Sequence, residues 1–234
     1  MSNSEWFRIL SSPSENLAQP LVLLEGKAAV EAAVAGWWEV LGVLLDEEHP
    51  WEGPAWSGLE IVRRDRDVLD QLGDPRRHGG VLALANQPED TTRVAEFMSG
   101  LAEDALLVVC PRPATPLVCG SLIKVASEHG AVGVLFGKEG ASPFDPEAIE
   151  RSATTVFQLP VRVSDGGQLL RCLKAAGVEL VGTDPSGEPV EELPTEGRRA
   201  LVVGDPEEGL GGFWTAVCDV RVSGQPEELL PKLR

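Results

Sequence analysis

The stretch from Asp104 to Asp165 is built from apolar blocks of strand length separated by segments with helical spacing. Ala105–Cys110 is a continuous run of Ala, Leu, Val and Cys, too short for a helix; strands buried on both faces of a parallel sheet have this composition. A Pro-rich loop follows, then a helical segment over Gly120–His129 and a second apolar run over Ala131–Phe136. Pro143–Ser152, with Phe144, Ala148 and Ile149 at helical spacing, predicts a second helix, and Thr155–Val163 a third strand. Strand, helix, strand, helix, strand is the order of βαβ units with right-handed crossovers. Ligands of such sheets sit outside the carboxyl ends of the strands, so chemistry is first expected in the loop Pro111–Gly120.

Upstream, residues 1–20 read as a polar lead-in in which Trp6, Phe7 and Ile9 offer an anchor. Leu21–Gly26 reads as a strand and Lys27–Gly36 as a helix closed by glycine. Trp38–Leu45 is a further apolar run, and Leu59–Arg64 a third strand. Asp65–Leu72 is a short helix with Asp65 placed to cap it, and Val81–Pro88 another strand. Residues 1–90 thus predict a small α/β domain, 91–103 a linker with a bridging helix over Thr91–Leu101, and 104–234 a second domain. Downstream, Gly166–Gly177 predicts a helix with Leu169, Leu170, Leu173 and Ala176 on its inner side. Val178–Val181 is a strand, Gly182–Gly197 an acidic loop, Arg199–Val203 a strand and Asp219–Val222 a last strand.

Composition narrows the function. Hydrophobic residues make up 43% of the 234, enough for a full core and too many for wholesale disorder. The formal net charge is −17. Lys and Arg that displace counterions from phosphates drive non-specific affinity for nucleic acid, so this chain as a whole repels a polyanion and needs a local basic patch to bind one. Arg63-Arg64, Arg76-Arg77 and Arg198-Arg199 are the sequence clusters, each close to acids. The four cysteines form no CxxC pair and do not cluster with the three histidines, so no metal site is expected. No secretory signal and no apolar run of membrane-spanning length are present, which points to a cytoplasmic, reduced protein.

Four segments, in order, resemble the SpoU (TrmH-type) family of RNA ribose 2′-O-methyltransferases within the SPOUT class. LVLLEGKAAVEAAVAG followed by GVLLDEE is similar to the family's small RNA-binding domain, and RRHGGVLALANQP to the end of that domain. PFDPEAIERSATTVFQLPV matches the family's segment ending "frlPv", and GDPEEGL its glycine-rich cofactor loop, usually Gly-x-Glu-x-x-Gly-Leu. The resemblance implies an α/β fold: an N-terminal RNA-binding-like domain, then a parallel sheet flanked by helices and tied in a trefoil knot. It also implies S-adenosylmethionine as cofactor, a homodimer with the active site between subunits, and tRNA or rRNA as substrate. Thr183, Gly204, Glu207, Gly209 and Leu210 then fall around the cofactor, and Gly120, Arg151 and Ser152 on the RNA side.

The reactive positions depart from the family pattern. In its first motif, Asn-x-Gly-x-x-x-Arg, Val118 stands on the asparagine, Gly120 on the glycine and Lys124 on the arginine, which makes Lys124 the catalytic candidate. Lysine keeps the charge and loses the planar fork that grips phosphate with two bonds. In the second motif Pro206 replaces the glutamate, with Glu207 and Glu208 following. The third, Ser-Leu-Asn-x-Ser opening a terminal helix, is absent; Ser223–Arg234, with Pro226 and Pro231, is too short and too interrupted for a helix of three turns. Two readings therefore stand: a methyltransferase of weakened activity, and an inactive relative serving as an RNA- or protein-binding module.

Overall fold

A computed structural model describes residues 20–36, 38–54, 58–189, 196–205 and 209–233. The anchor residues Trp6, Phe7 and Ile9, and the cofactor-loop residue Glu207, lie outside them. In chain order the elements are β1 (Leu21–Glu25), α1 (Lys27–Ala35), β2 (Val40–Asp46), β3 (Ile61–Arg64), α2 (Arg66–Asp70), α3 (Pro75–His78), β4 (Val81–Asn86) and α4 (Val94–Ser99). The second half continues with β5 (Leu106–Cys110), α5 (Pro116–Glu128), β6 (Gly133–Gly137), α6 (Pro146–Arg151), β7 (Val161–Ser164) and α7 (Gly166–Ala175). It ends with β8 (Glu179–Pro189), β9 (Arg199–Val202), α8 (Gly211–Val217), β10 (Val220–Ser223) and α9 (Pro226–Leu229).

The strands form two sheets. The first has the order β1-β4-β2-β3 and mixes antiparallel and parallel pairs. The second, β10-β8-β9-β5-β6-β7, is parallel throughout. Period-two alternation explains its central strand. Leu106, Val108 and Cys110 enter one core with α5, α6 and the first sheet, while Leu107 and Val109 enter the opposite core with α4, α7 and α8. Helices thus cover both faces, as a parallel sheet requires. Residues 91–103 contain α4, whose Val94 and Met98 are buried in that second core.

Side-chain caps set the starts of four helices: Asp74 accepts from Arg76 N–H, the Thr115 hydroxyl from Val118 N–H, Asp145 from Glu147 N–H and Asp165 from Gln168 N–H. Thr115 and Pro116 start α5 one turn before the expected Gly120. Asp65 precedes α2 with extended backbone but makes no side-chain cap.

Two expectations need correction. Thr155–Val163 is not one strand: Ala153 and Thr154 take φ of 51° and 67°, a 3-10 turn covers Thr155–Phe157, and β7 begins only after Pro160, which has no N–H for the ladder. Gly182–Gly197 is not all loop: β8 bulges out after Gly182 and rejoins the sheet where Val222 pairs with Glu188 and Ser223 with Pro189. The tail beyond β10 is the single turn α9 and a 3-10 turn over Leu230–Leu233, with Leu229, Leu230 and Leu233 buried against the α5 side of the sheet.

Candidate functional site

At the carboxyl ends of β8, β9 and β10 lies a cavity of about 570 Å³, within the usual range for small-ligand sites. Thr183, Asp184 and Pro185, where β8 bulges, make one wall. Val203, Gly204 and Asp205 follow β9, and Gly224–Glu227 of the tail close a third side. The first two turns of α5 supply Leu117, Val118, Ser121 and Leu122, with Arg151 at the end of α6 beside them.

The strand ends are fixed to one another. Gly204 N–H donates to Thr183 Oγ1 at 3.1 Å, which ties β9 to β8. A Cβ on Gly204 would lie 2.5 Å from Gly209 O and 2.6 Å from Leu210 N, so only glycine permits the loop to fold back on itself; an Asp205–Gly209 bridge closes it. Asp184 Oδ1 accepts from both Ser186 N–H and Oγ–H, which fixes the β8 bulge. Those two bonds, then Arg221 nearby, hold the Asp184 carboxyl below the usual carboxylate range.

The lining carries three carboxylates, Asp184, Asp205 and Glu227, and among the described residues one cation, Arg151. Arg151 Nε donates to Ser121 Oγ at 2.9 Å across the α5–α6 contact, which aims the guanidinium along the cavity wall. A cationic ligand with apolar parts suits this lining, and Arg151 offers the donors that a phosphate or sugar oxygen would need.

The residues named from sequence take several positions. Thr183, Gly204 and Arg151 come together on the first cavity. Gly209 takes φ 71° and shapes the loop, while Leu210 faces a second cavity on the other side of it. Gly120 does not face the cavity: it is buried at the crossing of α5 and α6, where a Cβ would meet Ala148 O and lie 2.7 Å from Arg151 Cβ. Ser152 is fully buried, and its hydroxyl donates to Ile149 O at 2.8 Å. Lys124 is half-exposed one turn beyond the lining residues of α5, its ammonium 3.8 Å from Glu128. Sequence reasoning missed Ser121, Asp184 and the tail residues Gln225 and Glu227. Their signal is the fold itself, since Ser121 and Glu227 stand at opposite ends of the second half of the chain. Among the described residues no cluster of His, Cys, Asp or Glu could hold a metal, and no helix is long and apolar enough to cross a membrane.

Residues 105–225 match the model of the SpoU rRNA methylase family. A 23S rRNA (uridine(2479)-2′-O)-methyltransferase of Streptomyces viridochromogenes is 29% identical over 233 residues, spanning 94% of this chain and 79% of the relative. A 23S rRNA (guanosine(2553)-2′-O)-methyltransferase of Bacillus subtilis (strain 168) is 24% identical over 225 residues, 94% of this chain and 87% of the relative. The crystal structure of the SpoU methyltransferase AviRb from Streptomyces viridochromogenes superposes with a TM-score of 0.80 at 25% identity, covering 97% of this chain and 95% of that one. Its complex with AdoMet gives a TM-score of 0.79 at 24% identity, covering 97% and 94%.

Proposed function

Because the chain belongs to the SpoU rRNA methylase family, we propose that it binds S-adenosylmethionine in the 570 Å³ cavity and methylates a ribose 2′-oxygen of rRNA or tRNA. The observation that carries this reading is the cavity at the carboxyl ends of β8 and β9, inside the segment the family model matches. Its residues fit the cofactor. Asp184, Asp205 and Glu227 suit a ligand with a sulfonium and an ammonium group, and Val118 and Leu122 suit its apolar parts. When bound, the cofactor supplies an electrophilic methyl group. Thr183 and Gly204 hold the strand ends in register, and Leu117, Val118 and Leu122 exclude water. Arg151, fixed by Ser121, is the cation at the place where an RNA oxygen must be oriented. We assign that role to Arg151 and not to Lys124, which stands beyond the lining.

The homodimer, the cytoplasmic location and the division into units 1–90 and 104–234 joined by 91–103 belong to the same proposal. The two separate sheets support the division. A second reading, cofactor binding without methyl transfer, is favoured by Val118 on the lining and by Lys124 outside it.

Calorimetric titration with S-adenosylmethionine tests the cavity: a micromolar, one-to-one isotherm is expected, and no heat of binding refutes the proposal. Transfer of labelled methyl to rRNA or tRNA then separates the two readings. Arg151→Ala is expected to slow transfer by about a hundredfold with cofactor affinity unchanged, the size typical of losing a charged orienting group. Transfer at the parent rate would remove Arg151 from the site.

A further inference from the structure

Resting on the reading of the chain as an RNA-modifying protein, we propose that a second cavity, of about 410 Å³, binds single-stranded RNA, with Arg112 and Lys138 on two backbone phosphates and Phe213 stacking on a base. The loop after β9 separates the two cavities, Gly204 and Asp205 lining the first and Leu210 and Gly211 the second. RNA seated in the second cavity therefore passes beside the cofactor loop.

The cations of this acidic chain are nearly all engaged. The Arg63 guanidinium is taken by the carbonyls of Asp46, Glu47, His49 and Trp51, and Arg198 by those of Leu101, Ala102 and Ala176. Arg66 is paired with Asp46 and Asp70, Arg76 with Asp74, and Arg77 with Glu25 and Asp74. Arg162 is paired with Asp90, Lys174 with Asp219 and Arg221 with Asp184. Of the sequence clusters, Arg63, Arg76, Arg77 and Arg198 are thus engaged within the fold, while Arg199 is buried, its Nε and Nη1 without a partner among the described residues. Arg112, Lys138, Arg171 and, at the first cavity, Arg151 stand apart: among the described residues their side chains meet no carboxylate or carbonyl, and all four are exposed. The first two come from positions far apart in sequence and gather at one place. Arg112 follows β5 and Lys138 follows β6, both on the cavity; Arg171 lines a separate recess with Met98 and Arg198, and its guanidinium reaches back along α7 to 3.6 Å from where a Cβ on Gly167 would stand.

The rest of the lining also offers donors. Asp165 takes the Gln168 N–H, leaving those of Gly166 and Gly167 without an acceptor among the described residues at the start of a ten-residue helix. Trp214 is only 6% exposed and lines the cavity, and a Cβ on Gly166 would stand 3.6 Å from its indole Nε1. Glu139 is the acid on the lining, against Arg112 and Lys138. Phe213 is 56% exposed at the cavity rim, in a T-shaped contact with Trp214 at 5.8 Å between ring centres. Free cations with an adjoining exposed aromatic ring make the combination that binds single-stranded nucleic acid.

The test is fluorescence anisotropy of a short labelled oligouridylate with the full chain, between about 50 and 200 mM salt. For Arg112→Ala/Lys138→Ala the log–log salt slope is expected to fall by roughly 1.4, about 0.7 for each phosphate contact in a single strand, with affinity down about tenfold. Phe213→Ala is expected to weaken binding by at least about fivefold with the slope unchanged, since stacking carries no counterion release. Parent affinity and slope in the double variant overturn the proposal, as does a parent that binds no RNA. Displacement of RNA by inorganic phosphate alone identifies a small-anion site and overturns it too. Titration with S-adenosylmethionine on the same proteins reports on the first cavity independently. Cofactor binding that survives while RNA binding is untouched by the substitutions sinks this inference and leaves the first standing.

Discussion

Replacing Gly120 by alanine pits helix propensity against tertiary packing, and the two predict opposite signs. Gly120 lies inside α5, where alanine is worth about 1 kcal/mol in intrinsic propensity, so local reasoning expects a more stable protein. The fold says otherwise. A Cβ there would run into Ala148 O and stand 2.7 Å from Arg151 Cβ and 3.0 Å from Ser152 N, all on α6. Two of these three atoms are backbone and cannot rotate away, so α5 and α6 must separate. Overpacking of this kind costs about 1–3 kcal/mol, and the rigid neighbours put it near the upper end. Subtracting the propensity gain leaves about 2 kcal/mol of destabilisation. For a chain of this size that lowers the melting midpoint by about 4–8 °C. Scanning calorimetry checks it, with Gly212→Ala as the control. No atom lies within 4 Å of the Cβ position at Gly212, a residue of α8, so that variant is expected to gain a few tenths of a kcal/mol or more. A Gly120→Ala midpoint at or above the parent's would refute the packing account of the α5–α6 crossing. It would also return Gly120 to consideration as a ligand-facing residue.

Two further outcomes follow from buried titratable groups. His78 is 1% exposed and accepts from Gly80 N–H through Nδ1; burial first, then the Arg66 charge, hold its imidazole pKa below the ordinary 6.5. Because the folded pKa lies below the unfolded one, this stability is fully present above about pH 6.5 and is lost as pH falls from there through the folded pKa, with a limiting slope of about 1.4 kcal/mol per pH unit. Urea melts of the parent and of His78→Gln across that range check it; equal pH slopes in the two proteins would remove His78 as the cause. Burial pushes the thiols of Cys110 and Cys119 up to about 12 and that of Cys218 up to about 11, while Cys172 is half-buried. A disulfide reagent at neutral pH is therefore expected to label Cys172 first and to reach Cys110 and Cys119 only on unfolding. Equal labelling rates in the native protein would contradict the burial.

Much of the fold was legible because strands and helices of this kind announce themselves locally. The apolar run ending at Cys110 had to be a strand covered on both faces, since nothing else of that length hides six consecutive apolar residues. The helix over Gly166–Gly177 was legible from the spacing of Leu169 and Leu173, whereas the one N-terminal cap named from sequence, Asp65, makes no side-chain cap bond. The tail was legible too, because prolines at 226 and 231 limit a helix whatever surrounds it. The Thr155–Val163 strand was misread because backbone strain at Ala153 and Thr154 is held by the surrounding structure, not by their residue types.

The candidate site belongs to the other category. Its lining draws on the sequence from Leu117 to Glu227, and which side chain faces the cavity depends on the register of α5 against α6. Motif spacing singled out Lys124, yet the fold turns it toward Glu128 and brings Arg151 to the lining by way of Ser121. The same holds for charge. A sequence shows which arginines are neighbours along the chain, and that Arg63, Arg76 and Arg198 lie close to acids. Only the tertiary structure decides which guanidinium finds a carbonyl or carboxylate and which is left facing solvent. Among the described residues Arg112, Lys138 and Arg171 meet no carboxylate or carbonyl, because electrostatic pairing acts over a few ångströms of space and takes no account of distance along the chain.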